Sequence, residues 1–467
     1  MMILNAKSAF EVLNECLKTG ADYSEIYYQD AMGRTYTRKY KKNQGVDITR
    51  TRGIGIRIIK DDEVVYGYTP YITKAAMISL ARKLAQAFQG DRKKNVNKLV
   101  KKQYPVRSPI EKPFSFLNES KIFRYLLQGE KAAYSYSEEI EQVTTGLCET
   151  QEHVEIYNSD SIMTQDDRIR TRLVCNVVSK RGESLKSSYK HKGLSKGLEL
   201  LDETDFEKMC LNAAKISIAL QSAIDGPSGE FPVVLGAGSG GVLFHEACGH
   251  PLEGCAISNK TSPFADKMST KIASDIVNAY DDGTIENGWG TLSVDDEGNQ
   301  TTKNQLIKDG VLVSYMLDKY TAKRMGNGYK PTGSARRESY LFPPTTRMTN
   351  TYIANGISKK EDIIKSVKFG IYCEDFTGGQ VNPNTDQFVF TSDTAYLIED
   401  GKITKMIKPT TFVGYGYEIL KRITMIADDG RREPGFCSSD SGSIEVETGQ
   451  PTILVSKILV GGQGGQL

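Results

Sequence analysis

The run Phe231-Pro-Val-Val-Leu235-Gly236-Ala-Gly238-Ser-Gly240-Gly241-Val-Leu-Phe244-His245-Glu246-Ala-Cys248-Gly249-His250-Pro251 decides the architecture of this chain. It opens as a short apolar strand and runs into a glycine-rich turn. Gly236, Gly238 and Gly241 satisfy the G-x-G-x-x-G spacing, which would imply a dinucleotide site in a doubly wound parallel sheet. The helix that would receive the pyrophosphate is broken by Gly249 and Pro251 within about ten residues. No second parallel strand ending in an acid follows at the required ~20-residue distance. Ser239 fails as a hydrolase nucleophile, because Ala237 stands where G-x-S-x-G needs its first glycine. What survives is a short strand feeding an interrupted helix.

Upstream, Asp225-Gly-Pro-Ser-Gly229 is a strong breaker cluster and marks the main boundary. Residues 224–467 are dense in glycine and β-branched residues with few long helical periods, so this C-terminal domain should be β-rich. Residues 1–223 read as an N-terminal α+β region. Phe10, Leu13 and Leu17 at helical spacing, with Gly20 as a stop, predict a helix over 6–19. Ile54, Ile56 and Ile58, then Asp61-Asp62, then Val64-Val65-Tyr66 predict a hairpin. Thr73 caps a helix carrying Met77, Leu80, Leu84 and Phe88. Between 90 and 113, Arg92, Lys93, Lys94, Lys98, Lys101 and Lys102, followed by prolines at 105, 109 and 113, give a solvated connector. It divides the region into candidate subdomains 1–90 and 114–223. The second has helices near 120–135 and 204–223 around β segments such as His153–Tyr157 and Arg170–Ser179, an antiparallel sheet with flanking helices. The fold class is therefore α+β. A biased tail, GGQGGQ, closes the chain.

Composition narrows the function. With 467 residues, two to four domains are expected at roughly 100–200 residues each. Sixty Lys+Arg against 58 Asp+Glu leave a net charge of +2, too little to draw the chain onto nucleic acid or an anionic membrane. No window approaches the ~20 apolar residues of a membrane span. The opening MMILNAKSAF has polar residues where a secretory signal needs its apolar stretch, so a cytoplasmic location is expected. Eight cysteines without paired spacing fit a reducing compartment. There are only four histidines, and two of them, His245 and His250, lie five apart with Glu246 between.

In H-E-x-x-H, histidines four apart share one face of a helix and one metal, and the glutamate activates water. A spacing of five is about 140° of rotation on a regular helix. One ion can be shared only if the turn widens to a π-type bulge or the helix ends between the two. Gly249 loosens the last turn and Pro251 biases His250 away from the α region, which favours an ending.

The stretch GVLFHEACGHPLEG (241–254) resembles the signature of the TldD/PmbA family, in particular its TldD-type metallopeptidase subunit. The likeness continues through GWGTLSVDDEG (288–298), PTGSARRESY (331–340), RMTNTYI (347–353), GGQVNP (378–383) and PGFC (434–437), and reaches GADYSEIYY near the start. It implies a divalent metal, zinc, held by His245, His250 and Cys437, with Glu246 as general base. A His₂Cys set leaves a fourth position for water, although such a set also tolerates iron or cobalt. It implies a peptidase for unfolded or flexible peptides. It further implies a homodimer or a heterodimer with a PmbA/TldE-like subunit, without membrane or direct nucleic-acid contact. The contrasting expectation is a non-catalytic PmbA/TldE-like scaffold. The family's older association with DNA gyrase fits an indirect effect through peptide processing. Ser438-Ser439 depart from the Gly-Lys pair more usual after the cysteine.

Other marked residues carry weaker expectations. Arg336-Arg337 are candidates to bind a substrate carboxylate or carbonyl, against a structural ion-pair role. Asp281-Asp282-Gly283 and Asp295-Asp296-Glu297-Gly298 read as turns rather than cation sites. Cys248 and Cys255 read as buried small residues, and His153 and His191 as surface histidines.

Overall fold

The computed structural model describes residues 2–116, 118–382 and 385–461. The glycine-rich tail from 462 onward lies outside the described residues.

The N-terminal region is built on β1 (Tyr23–Lys39), β2 (Lys42–Lys60), β3 (Glu63–Thr69), β4 (Val100–Lys101), β5 (Ile140–Asn158), β6 (Ile162–Arg181) and β7 (Ser184–Leu194). They form one sheet in the order β3-β2-β1-β5-β6-β4, with β7 also on β6. All pairings are antiparallel except the short β4–β6 contact. β1 lies between β2 and β5, so strands from before and after the basic connector share one sheet. β5 and β6 run 19 and 20 residues, far beyond the usual ~5–6.

Residue parity explains what covers this sheet. Ile26, Tyr28 and Tyr36 of β1 face the helices: Ala6–Cys16 and Lys74–Ala85 at one end, Glu119–Tyr134 and Phe206–Leu220 at the other. Tyr27 of β1 and Val154 and Ile156 of β5 point to the opposite face, where they meet Val294 and Tyr340 of the C-terminal domain. Burial on both faces accounts for the unbroken buried run from Tyr23 to Gln29. The helix starts follow the sequence: Asn5, Thr73, Asn118 and Asp205 each accept a backbone N–H of the first turn. The first helix ends at Cys16, before the expected 19, because tight turn bonds from Lys18 to Glu15 and from Gly20 to Leu17 take over ahead of Gly20 at φ +85°.

The C-terminal domain carries β8 (Gly229–Leu235), β9 (Ala279–Asp282), β10 (Lys303–Lys308), β11 (Val311–Leu312), β12 (Ala335–Arg336), β13 (Thr345–Thr346), β14 (Asn350–Ile353), β15 (Phe369–Asn382), β16 (Gln387–Glu399), β17 (Lys402–Ile407), β18 (Thr411–Tyr415), β19 (Ile423–Ile426), β20 (Arg431–Ser439), β21 (Gly442–Gln450) and β22 (Ile453–Gly461). β15, β8, β22, β18 and β16 pair in succession, and β15 pairs again with β16, closing a ring around Phe388, Phe390 and Phe412. A second sheet has the order β11-β10-β9-β14-β21-β20, with β20 outermost. The molecule is α+β with a β-rich C-terminal domain. No described helix is long and apolar enough to cross a membrane.

Buried charges knit the two regions together. Arg57, on β2, reaches Glu25 at 2.8 Å and also pairs with Glu297. Arg337 reaches the other oxygen of Glu25 at 2.7 Å and lies over the Tyr27 ring at 4.2 Å. Arg168 pairs with Asp296 at 2.8 Å. Burial alone would push Glu25 upward, but Arg57 and Arg337 hold it below the usual carboxylate range. The 295–298 stretch is a turn, with Asp295 accepting the N–H groups of Glu297 and Asn299, yet it is buried in this interface rather than solvated.

Candidate metal centre

β8 delivers the chain into the glycine turn, and the glycines there serve packing. A Cβ on Gly236 would lie 2.6 Å from the Glu374 carbonyl oxygen, and one on Gly241 would lie 2.5 Å from the Gly449 backbone. The turn is thus pressed against β15 and β21. A single helical turn, Gly241–Phe244, leads into a π-turn over His245–Gly249 and a 3₁₀ turn over His250–Leu252. The His250 N–H donates to the His245 carbonyl, the i→i+5 bond that defines the widened turn.

Of the two ways to bring residues five apart together, the chain uses the bulge. His250 keeps helical angles, φ −58° and ψ −45°, so the expectation that Pro251 swings it out of the α region is corrected. Gly249 is needed for space instead, since a Cβ there would meet Met348 Sδ at 2.1 Å. The opposite side of the turn is anchored in the largest core cluster by Phe244, Ala247 and Cys248. Burial pushes the Cys248 thiol far up, and that of Cys255 to about 12, which leaves both inert.

The imidazoles of His245 and His250 stand with centroids 5.1 Å apart at 86°. Cys437 arrives from the far end of β20, its Sγ 3.1 Å from His250 Nε2. One ligand atom from each of the three residues lies within 4.8 Å of the others. Among the described residues this is the one such cluster of three or more His, Cys, Asp or Glu side chains. Glu246 points to the same place, with Oε2 3.7 Å from His250 Nε2.

Donor chemistry fits a borderline-soft divalent ion: two imidazoles and one thiol with their ligand atoms within 4.8 Å of one another. Burial, reinforced by His250 and Arg347, lowers the His245 imidazole well below its ordinary value. It is therefore neutral, and its buried Nδ1 has no hydrogen-bond partner. Burial also pushes His250 down, but the Glu253 carboxylate and the Cys437 contact outweigh it and raise the group. A bound cation would displace that proton. Burial raises Glu246, with His250 opposing.

Two residues here escaped the sequence reading. Glu253 Oε2 stands 3.1 Å from His250 Nδ1, the carboxylate–histidine arrangement that orients metal ligands. Its position three residues after His250 was the available signal. Arg347 donates to the Cys437 carbonyl at 2.5 Å; ninety positions of sequence separate them, and no local pattern announces the contact.

The remaining candidates fall elsewhere. Arg337 is committed to Glu25 and the Asp296 backbone, and Arg336 is buried with Nη1 on the Met348 carbonyl at 2.7 Å. The substrate-binding expectation for this pair is therefore replaced by a structural one. Asp281 and Asp282 end β9, buried against Thr349, Thr351 and Thr284. Ser438 and Ser439 lie exposed at the end of β20. His191 stacks on Tyr189, and His153 is paired with Asp167 and Glu155, so neither is a bare surface histidine.

Known proteins match over most of this length. The family models described as PmbA/TldA metallopeptidase central domain and C-terminal domain match residues 112–221 and 228–462. The protein named metalloprotease TldD homolog from Haemophilus influenzae is 34% identical across 98% of this chain and 97% of its own. The zinc metalloprotease TldD homolog of Saccharolobus solfataricus is 25% identical across 97% and 99%. In fold, the chain is similar to TldE from Thermococcus kodakarensis, with a TM-score of 0.75, 21% identity, and coverage of 94% and 97%. With the central and C-terminal domains both matched and full-length identity to TldD homologues at this level, the chain belongs to the TldD/PmbA metallopeptidase family.

Proposed function

We propose that this chain is a cytoplasmic, metal-dependent peptidase subunit that hydrolyses unfolded or flexible peptides. The observation that carries the reading is the convergence of His245, His250 and Cys437 within 4.8 Å, with Glu246 alongside. These three residues would hold a divalent cation, zinc by the chemistry of the donors and by the name of one relative. Such a cation supplies Lewis acidity, polarising a carbonyl and acidifying a water molecule near neutral pH.

The chain's own groups do the rest. Glu246 Oε2 takes a proton from water as its oxygen bonds to the scissile carbonyl carbon. It returns that proton to the amine nitrogen as the C–N bond breaks. A partly desolvated carboxylate, raised as Glu246 is by burial, suits both transfers. Glu253 fixes the His250 tautomer. Cys437 sits on the outermost strand of its sheet, and an extended peptide laid along β20 would be held through backbone hydrogen bonds with modest side-chain specificity.

The partner is a second copy or a PmbA/TldE-like subunit, a reading favoured by the likeness to TldE. That same likeness favours the alternative of a non-catalytic scaffold, which has no use for an assembled His₂Cys–Glu set. The deciding experiment is elemental analysis of the purified protein together with cleavage of an unstructured peptide, with and without chelator and with the partner supplied. Stoichiometric metal and chelator-sensitive cleavage are expected. Metal-free protein, or cleavage indifferent to chelator, would overturn the proposal.

A further inference from the structure

We propose that Arg347 is a positioning residue of this centre, one buried guanidinium that fixes both the Cys437 end and the His250 end of the ligand set. The inference rests on the metal reading above. Arg347 is fully buried. Its Nη1 donates to Ser441 Oγ and to the Gly442 carbonyl, each at 3.0 Å, and its Nη2 donates to the Cys437 carbonyl at 2.5 Å. These acceptors bracket the tip of the β20–β21 hairpin, whose residues Ser438, Ser439 and Asp440 are exposed. The guanidinium thus holds the backbone of the thiol-bearing end of that hairpin, while the thiol itself reaches His250 Nε2.

The third nitrogen points the other way. Arg347 Nε and Glu253 Oε1 are both buried without a hydrogen-bond partner, and they stand 3.9 Å apart. Closure by about 1 Å would make a hydrogen bond of ordinary length. Glu253 Oε2 is the oxygen that holds His250 Nδ1. One side chain therefore spans from the carbonyl of Cys437 to the carboxylate that orients His250.

Arg347 is itself held from both sides. Its N–H donates to Ser334 O at 2.8 Å. Thr346 Oγ1 donates to Asp318 at 2.9 Å, Met348 Sδ fills the space beside Gly249, and the Thr349 N–H donates to Asp281 at 2.7 Å. A lysine could not replace it, because a single ammonium lacks the planar fork that reaches three acceptors while presenting Nε to a fourth.

The test uses the full chain loaded with cobalt(II), comparing unmodified protein with Arg347→Met, Arg347→Lys and Ser441→Ala. Cobalt affinity is read by chelator competition, thiolate ligation by the near-ultraviolet sulfur-to-cobalt charge-transfer band, and folding by circular dichroism. Both arginine variants should bind cobalt about 10–100-fold more weakly, the usual cost of losing an outer partner of a metal ligand, with a diminished band. Ser441→Ala should move the same way by a smaller factor, and it supplies the result if Arg347→Met does not fold. Affinity and band unchanged in Arg347→Lys and Ser441→Ala would overturn the role of Arg347 while leaving the metal site intact. Unmodified protein that binds cobalt without the band would instead remove Cys437 as a ligand, and the present proposal with it.

Discussion

Nδ1 of His250 stands 3.1 Å from Oε2 of Glu253, and this leaves Nε2 of the same ring facing Cys437 Sγ. In the proposed metal site the glutamate would select which nitrogen is offered to a cation. Glu253→Gln should therefore keep the fold and lower metal affinity by about 10–100-fold. Chelator competition measures this, and an unchanged dissociation constant would show that Glu253 does not orient the ring.

Glu246 lies beside the three donors without belonging to them. Glu246→Gln is expected to retain full metal stoichiometry and to lower the cleavage rate by about 10²–10⁴-fold, the range for loss of a general base. Stoichiometry by elemental analysis and turnover on an unstructured peptide check the two halves separately. Undiminished turnover would remove Glu246 as the base.

Cys437→Ser exchanges a thiolate for a poorly ionised hydroxyl, a weak ligand for a borderline-soft ion. Metal content per chain should fall while circular dichroism stays unchanged, because the side chain belongs only to a small cluster with Ile444 and Val446. Equal metal content in variant and parent would reject the cysteine as a ligand.

At the contact between the two regions, Arg57→Met would leave Glu297 and one oxygen of Glu25 buried without their cation. Breaking a buried pair from one side costs about 3–5 kcal/mol. The first transition in a denaturant titration should shift by an amount of that order. A shift under about 1 kcal/mol would mean that the pair is far more hydrated than its burial implies.

His153 supplies a pH signature. Hydrogen bonds to Asp167 and then Glu155, opposed by burial, raise its imidazole to about 9. The folded value lies above the unfolded one of roughly 6.5. The stabilisation is therefore complete below about pH 6.5 and is lost as pH climbs through about 9. Melting temperatures of the parent and His153→Gln should differ most near pH 6 and converge by about pH 10. A constant gap across that range would refute the assignment.

Much of this was legible before any coordinates. The capping residue Thr73, the hairpin around Asp61-Asp62 and the breaker at 225–229 are local signals, and they mark real element ends. The five-residue spacing of the histidines posed the right question, and one of its two answers, the widened turn, is what the chain adopts. Pro251 misled because its steric bias on the preceding residue is a tendency that core packing around Phe244 and Cys248 overrides. Arg336 and Arg337 misled because a charged pair in a Gly/Ser-rich loop looks solvated until the opposing sheet is known. Glu25 and Tyr27, more than 300 positions away, bury Arg337. The pairing of β8 with β15 and β22, which joins the ring across more than a hundred positions, and the approach of Arg347 to Cys437 are equally non-local, and spacing rules hold no information about them.

The widened turn at His245–Gly249 also sets the phase of everything after it. Deleting one residue between the two imidazoles would restore the commoner four-residue interval, yet it would rotate the following segment by about 100°. Leu252 and Ile257, now sealed inside, would be turned toward water. Shortening the motif to resemble other zinc peptidases should thus cost the protein its interior before it gained any catalytic advantage.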